Sequence, residues 1–126
     1  EGTLKDKFMA AGEALPNSFP VVDGWAFDKG LVTSIKSIDL RSKTYQDMKN
    51  FETLVDGYVK QLEGWDGSER GFLGITIRSK HVKEKMLHLG VPDGAMSSEQ
   101  RDVLTKIAKQ LESSGAKVKI KVTALK

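Results

Sequence analysis

The chain has 126 residues, a formal net charge of +3 and no cysteine. That length fits one domain, which we expect over residues 1–126, and the missing cysteines exclude disulfides, thiol nucleophiles and zinc ribbons. No apolar run approaches the ~18 residues that span a bilayer, so we predict no membrane-spanning segment. The sequence starts without Met, and we therefore expect a fragment of a longer polypeptide.

The first half of the chain predicts a helix, a hairpin and a second helix. Residues 3–14 have helical spacing, and Pro16 ends that helix because the residue before a proline avoids the α region. Residues 19–40 predict a β-hairpin with its turn at "FDKGL". One apolar stripe over residues 45–65 predicts the longest helix.

The second half predicts a strand, two helices and a last strand. Residues 72–77 ("FLGITI") are almost wholly apolar, which favours a strand inside a sheet, and residues 80–89 predict a short helix. Ser97 and Gln100 form a capping box that begins the next helix. Residues 116–124 alternate as a half-buried strand does. The order α-β-β-α-β-α-α-β predicts an α/β domain.

The hairpin carries polar side chains on one predicted face. If Lys29–Gly30 are the two central residues of the turn, Asp23 lies opposite Lys36, and Ser34 shares their face. A three-residue turn would instead place Asp23 opposite Ile35. A cross-strand salt bridge on a wet surface, with little effect on stability, is the structural alternative to a catalytic site.

The spacing of these residues resembles the PD-(D/E)XK nuclease motif. In that motif two acids hold a divalent metal beside the scissile phosphate, and a lysine stabilises the developing charge or orients the attacking water. Asp23 is followed after ten residues by Ser34-x-Lys36. Ser34 stands where the motif has an acid, and serine is a poorer ligand for a hard metal than a carboxylate. Asp39 reaches the site only if the strand bends.

Three stretches, "LPNSFPVVDGW", "GLVTSIKSIDL" and "TYQ", extend the resemblance over residues 15–46. They resemble the C-terminal tRNase toxin domains of filamentous-haemagglutinin-like effectors of contact-dependent growth inhibition. The resemblance implies a PD-(D/E)XK nuclease-like mixed sheet with a β-hairpin core flanked by helices. It also implies roles for four residues, with Asp23 as the metal-binding acid, Lys36 as the catalytic lysine, Ser34 in place of the second acid and Asp39 as a supporting acid.

The same resemblance implies a glutamate on the first helix as a further metal ligand. Its expected spacing before Asp23 points to Glu1, with Glu13 as the alternative. Asp23 and Glu1 would then bind the divalent metal, which we expect to be Mg²⁺. An ordinary residue at a helix start, favoured there by the helix dipole, is the structural alternative for Glu1.

The implied function is an endoribonuclease toxin that cleaves tRNA in the cytoplasm of neighbouring bacteria. The resemblance implies a secreted or cell-surface effector that delivers the toxin, and a cognate immunity protein that neutralises it. Because the chain is basic, we expect the immunity protein to be acidic. The alternatives are a DNA endonuclease on the same fold and a non-catalytic nucleic-acid-binding module.

Two groups of basic residues are candidates for RNA binding through phosphates. Lysines on the last strand have a second interpretation, because lysines on an exposed edge discourage sheet-to-sheet aggregation. The predicted RNA-binding residues are Arg78, Lys80, Lys83, Lys85, Lys117, Lys119 and Lys121.

Overall fold

A computed structural model describes residues 14–15, 21–72 and 75–125 of the chain. The strands are β1 (Gly24–Ala26), β2 (Leu31–Ser37), β3 (Ser68–Phe72), β4 (Ile75–Ile77), β5 (Glu84–Pro92) and β6 (Val118–Leu125), and the helices are α1 (Lys43–Gln46), α2 (Met48–Gly64) and α3 (Ser98–Ser113), with a 3-10 helix at Ser79–His81. The helix predicted over residues 3–14 lies outside the described residues except for Ala14, which forms an isolated bridge with Gly24.

The central sheet has four strands in the order β1-β2-β5-β6. β1 pairs with β2 in the antiparallel direction, whereas β2–β5 and β5–β6 are parallel, so the sheet is mixed. β3 and β4 form a separate antiparallel pair. Helices α2 and α3 pack on each other, α2 contacts β5, and α3 contacts β6. The predicted fold class, an α/β domain with a mixed sheet and flanking helices, is confirmed.

Both long helices begin at the polar side chains that sequence patterns associate with helix starts. The Asp47 carboxylate accepts hydrogen bonds from the Lys49 and Asn50 N–H groups, at 2.9 and 3.3 Å, and so satisfies two backbone donors of α2. Ser97 and Gln100 form the predicted capping box at the start of α3. No helix in the described part of the chain is long and apolar enough to cross a bilayer.

The core lies between these two helices and the sheet. Phe51, Val55 and Leu62 of α2 are buried against Leu87 and Leu89 of β5 in one apolar cluster. The buried members of the α2 stripe recur at helical spacing, as the sequence predicts, and this burial is what stabilises the helix on the sheet.

The prediction of a helix over residues 80–89 is wrong. Only Ser79–His81 are helical, as a single 3-10 turn, and the segment then becomes β5. The helix propensities of Lys85, Met86 and Leu87 are favourable. However, β5 lies between two parallel strands, β2 and β6, and forms hydrogen bonds with both. Pairing and burial in the sheet override the local preference.

The strand predicted in residues 72–77 is only partly as expected. Ile75–Ile77 form β4, which pairs with β3 and not with the central sheet, so the placement inside a sheet is wrong. Ile77 is nevertheless buried in the core cluster, which accounts for the apolar composition of the segment.

The hairpin turn is longer than the two residues predicted. Ala26 pairs with Leu31, so the four residues Phe27–Gly30 form the turn, and the register differs from the prediction by two positions. Because side chains alternate with a period of two, a shift by two keeps each side chain on its predicted face. Ser34 and Lys36 therefore still share the face of Asp23.

Candidate active site

Asp23 is the acid that the structure fixes on the hairpin. Its N–H donates to the Thr33 carbonyl at 2.7 Å, and the Leu15 N–H donates to the Asp23 carbonyl at 2.8 Å. The half-buried Asp23 carboxylate accepts a hydrogen bond from the Ile35 N–H, with Oδ2 2.7 Å from the nitrogen. A side-chain oxygen thus accepts from a β2 amide, and the carboxylate is held against the strand that carries Ser34 and Lys36.

Lys36 extends from β2 towards helix α2. Its Nζ lies 5.2 Å from the centre of the Tyr58 ring, within the range of a cation–π contact. The Lys36 side chain is half-buried. Ser34, two residues earlier on the same face of β2, is only 3% exposed. The hairpin therefore presents a carboxylate, a hydroxyl and an ammonium group on one side of the sheet.

Tyr58 is the site residue that the sequence did not reveal. It belongs to the apolar stripe of α2 and packs partly against the core, so helical spacing alone assigns it to packing. The hydroxyl of a tyrosine on such a stripe is only a weak indication of a functional role. The position of Tyr58 beside Lys36 follows from the tertiary structure.

The hairpin provides part of a ligand set for a divalent metal. Among residues 14–15, 21–72 and 75–125, no group of three or more His, Cys, Asp or Glu side chains is placed to hold a metal ion. Asp23 offers a carboxylate and Ser34 a hydroxyl, which are oxygen ligands of the type that Mg²⁺ accepts. The predicted second acid, Glu1 or its alternative Glu13, lies outside the described residues.

Asp39 lies two residues past the end of β2. Its Oδ1 accepts hydrogen bonds from the Arg41 N–H at 3.1 Å and from the Arg41 Nε at 3.3 Å. The Asp39 side chain is 60% exposed, so this ion pair adds little stability. The supporting role predicted for Asp39 stays a prediction.

Lys85 is placed quite differently from an exposed phosphate-binding lysine. It is 8% exposed, and its ammonium donates hydrogen bonds to the carbonyls of Leu62, Glu63 and Trp65 at 2.5–3.0 Å. Burial and the nearby charge of Lys117 lower the pKa of Lys85. A cation at this position satisfies carbonyls at the end of α2 and complements the helix dipole. The RNA contact predicted for Lys85 stays a prediction.

The other predicted basic residues fall into two places. Arg78, Lys80 and Lys83 are exposed, and the backbone of Lys83 bonds the hairpin turn by donating to the Gly30 carbonyl at 2.8 Å. These three residues therefore belong to the end of the molecule that carries the turn.

The lysines of the last strand lie at the opposite edge of the sheet from β1. Lys119 and Lys121 pair in register with Met86 and His88, so they occupy the face opposite Lys36. Lys119 forms an ion pair with Glu84 at 3.2 Å, and Lys117 donates to the Val82 carbonyl at 3.4 Å. The structure separates these lysines from the hairpin site.

Comparison with known proteins identifies the family of the chain. Residues 2–123 match the family described as a CDI toxin restriction endonuclease-like domain. The fold is similar to a chain of the CdiA-CT/CdiI toxin and immunity complex from Yersinia pseudotuberculosis, with a TM-score of 0.74 and 19% sequence identity, over 98% of this chain and 97% of that chain. No curated protein matches the chain.

Proposed function

We propose that this chain, which belongs to the family of CDI toxin restriction endonuclease-like domains, cleaves phosphodiester bonds at its hairpin. The chain is the toxin domain of a CDI effector, a class delivered from the cell surface. One observation carries the proposal: the Ile35 N–H holds the Asp23 carboxylate on the strand that carries Lys36. Phosphodiester cleavage needs both signs of charge in one small place.

The roles of the side chains follow from their charges. Lys36 would stabilise the negative charge that develops on the phosphate, or orient the attacking water. Asp23 would bind a divalent metal together with Glu1, and Ser34 would supply a hydroxyl beside them. Such a metal, when bound, acts as a Lewis acid and lowers the pKa of a coordinated water. The Tyr58 ring would hold the Lys36 ammonium in place without taking its hydrogen-bond donors.

Our first choice of substrate is tRNA in the cytoplasm of neighbouring bacteria. This choice rests on the resemblance of residues 15–46 to tRNase toxins. DNA is the second candidate, because the family is described as restriction endonuclease-like. A protein distinguishes RNA from DNA through the 2′-hydroxyl, and the charges at the hairpin act on the phosphate that both polymers share.

We also propose that a cognate immunity protein neutralises this toxin. The Yersinia pseudotuberculosis structure is a complex of toxin and immunity protein. Exposed Arg78, Lys80 and Lys83 lie near the hairpin turn, so an acidic inhibitor would be attracted to this end of the molecule.

The test is incubation of the purified chain with total tRNA and with plasmid DNA, each with Mg²⁺ or with EDTA. Lys36→Ala is the inactive variant, and Lys109→Ala, which removes an exposed lysine from α3, is the matched control. We expect a rate lower by about 10²–10³-fold for Lys36→Ala, the usual effect of losing one group that stabilises the transition state. The control should cleave like the wild type.

The products identify the substrate. Discrete tRNA fragments that vanish with Lys36→Ala would support the ribonuclease, whereas intact tRNA and nicked plasmid would move the assignment to DNA. If neither is cut with any divalent metal, or after addition of cell extract to supply a host factor, the nuclease proposal is overturned.

A further inference from the structure

Three aromatic rings form a row at the tip of the hairpin. The Trp25 and Phe27 ring centres are 6.1 Å apart with an interplanar angle of 81°, and those of Phe27 and His81 are 5.2 Å apart at 75°. Phe27 is 65% exposed, while Trp25 and His81 are half-buried. Edge-to-face packing of this kind stabilises the rings against each other and leaves the Phe27 ring accessible.

Packing in the core does not account for a phenylalanine at position 27, because its ring is mostly exposed. Phe27 and Val122 are the two large hydrophobic side chains exposed in the described part of the chain, and Phe27 is much the more exposed. A turn residue has many polar substitutes, as the neighbouring Asp28 and Lys29 illustrate. An exposed phenylalanine beside two other rings offers an accessible aromatic surface of the kind on which a base stacks.

Backbone contacts join the turn to the segment that carries His81. The Gly30 carbonyl accepts hydrogen bonds from the Lys83 and Glu84 N–H groups at 2.8 and 3.1 Å. Gly30 has φ of +64°, and a Cβ there would lie 2.8 Å from the His81 carbonyl oxygen. The turn is thus packed directly against the segment that carries His81. A platform fixed before its ligand arrives loses little conformational entropy on binding.

The charges around the rings favour a nucleic acid. Lys29, Lys80 and Lys83 are exposed near the turn; the acids beside them are Asp28 and Glu84, and Glu84 forms an ion pair with Lys119. Aromatic rings beside a basic groove are the combination by which proteins bind single strands, where bases stack on the rings and lysines contact phosphates.

The rings also lead towards the candidate catalytic acid. Trp25 lies two residues after Asp23, which corresponds to about 6.6 Å along an extended chain. Phe27 is the first residue of the turn, and its ring centre lies 6.1 Å from that of Trp25. A strand whose scissile phosphate lies at Asp23 would therefore have its flanking bases beside these rings.

We propose that Trp25, Phe27 and His81 form a stacking platform for unpaired bases of the nucleic acid next to the cleaved phosphate. The inference rests on the proposed function for the identity of the ligand. It adds that the substrate offers unpaired nucleotides, as a loop, an overhang or an opened duplex does, because the bases of an intact duplex are stacked on each other.

The test measures binding, apart from cleavage, by fluorescence anisotropy of labelled oligonucleotides of about 12 nucleotides, single-stranded or as blunt duplexes. All proteins carry Lys36→Ala, so that the probes are not cut. In this background we compare Phe27→Ala and Phe27→Tyr with Val122→Ala, which truncates the other exposed hydrophobic side chain on the distant strand β6. Thermal unfolding of each variant verifies that it is folded.

Phe27→Ala should weaken single-strand binding by about 5- to 150-fold, the usual effect of removing a ring on which a base stacks. Phe27→Tyr should restore it, and Val122→Ala should bind like the parent. The loss should persist as salt rises, since stacking is not screened as phosphate contacts are.

Two results would overturn the platform: an unchanged affinity of Phe27→Ala for the single strand, or an equal loss of affinity for the duplex. The cleavage assay on the wild type is independent of this one. If the wild type cleaves nucleic acid but Phe27→Ala binds the single strand normally, only the stacking platform is contradicted. If the wild type cleaves nothing but Phe27→Ala binds the single strand weakly, only the nuclease function is contradicted.

Discussion

Lys36 and Lys85 lie on neighbouring strands, share one face of the sheet and both contact helix α2, yet their surroundings are opposite. Lys85 is buried and donates to three carbonyls at the end of α2. Lys36 is half-buried, and its ammonium rests 5.2 Å from the Tyr58 ring centre. A ring attracts a cation but accepts none of its ordinary hydrogen bonds. The contrast is between a lysine whose donors are taken by backbone carbonyls and a lysine that lies beside an aromatic ring.

Among the substitutions that test this difference between Lys36 and Lys85, the largest effect is expected for a change at Lys85. Lys85→Met keeps the long apolar stem but leaves three carbonyls without their charged donor, which should lower the free energy of unfolding by about 2 kcal/mol. Urea unfolding measures this loss. Cleavage per folded molecule should stay at the wild-type rate, and a loss of rate in fully folded Lys85→Met would contradict the structural role given to Lys85.

A smaller effect, measured on cleavage per folded molecule, is expected at Tyr58. Tyr58→Leu removes the ring beside Lys36 and should lower the cleavage rate about 2- to 5-fold, which corresponds to a cation–π contact of about 0.5–1 kcal/mol. Tyr58→Phe keeps the ring and should retain more activity than Tyr58→Leu. Equal rates for the two variants in a single-turnover assay would show that the ring does not position Lys36.

The smallest effect is a pH dependence of stability from His88, a buried group on the same strand as Lys85. Burial, and then the charge of Lys121, lower the pKa of His88 below its usual value of 6.5. The unfolded chain therefore takes up a proton more readily than the folded one, and the stability that neutral His88 contributes is lost as pH falls from 6.5 through the folded pKa.

Urea midpoints between pH 7.5 and 5 measure this dependence, with a His88→Gln variant as the reference. The wild type should lose more stability than the variant over that range, by up to about 1.4 kcal/mol for each unit by which folding lowers the pKa of His88. Parallel pH profiles would mean that His88 does not titrate differently on folding. The Thr123 hydroxyl, 2.7 Å from His88 Nε2, is an uncharged partner and stays in both proteins.

The hairpin was the most predictable region, and its resemblance to toxins of contact-dependent growth inhibition is confirmed by the family match. Asp23, Ser34 and Lys36 lie close in sequence, so strand alternation alone places them on one face, even with the turn length misjudged. The roles given to these residues remain predictions.

What the sequence did not reveal depends on contacts between distant segments. The carbonyls that receive the Lys85 ammonium lie 20–23 residues earlier in the chain, and no spacing rule connects them. The residues of β5 resemble a helix until two parallel neighbours bond to them. The ring row at the hairpin tip required His81 to approach Phe27 from another element.

The mixed direction of the sheet has a consequence for the order in which the chain folds. The β1–β2 hairpin closes a short loop, and hairpins form within about 1–10 μs, whereas β2 meets its parallel partner β5 only after a long segment has folded back. A two-stranded hairpin is marginal by itself. The Asp23 carboxylate and the Ile35 N–H would thus meet early and transiently, and the lifetime of their hydrogen bond would depend on the late arrival of β5, with the bond from Lys83 to the turn.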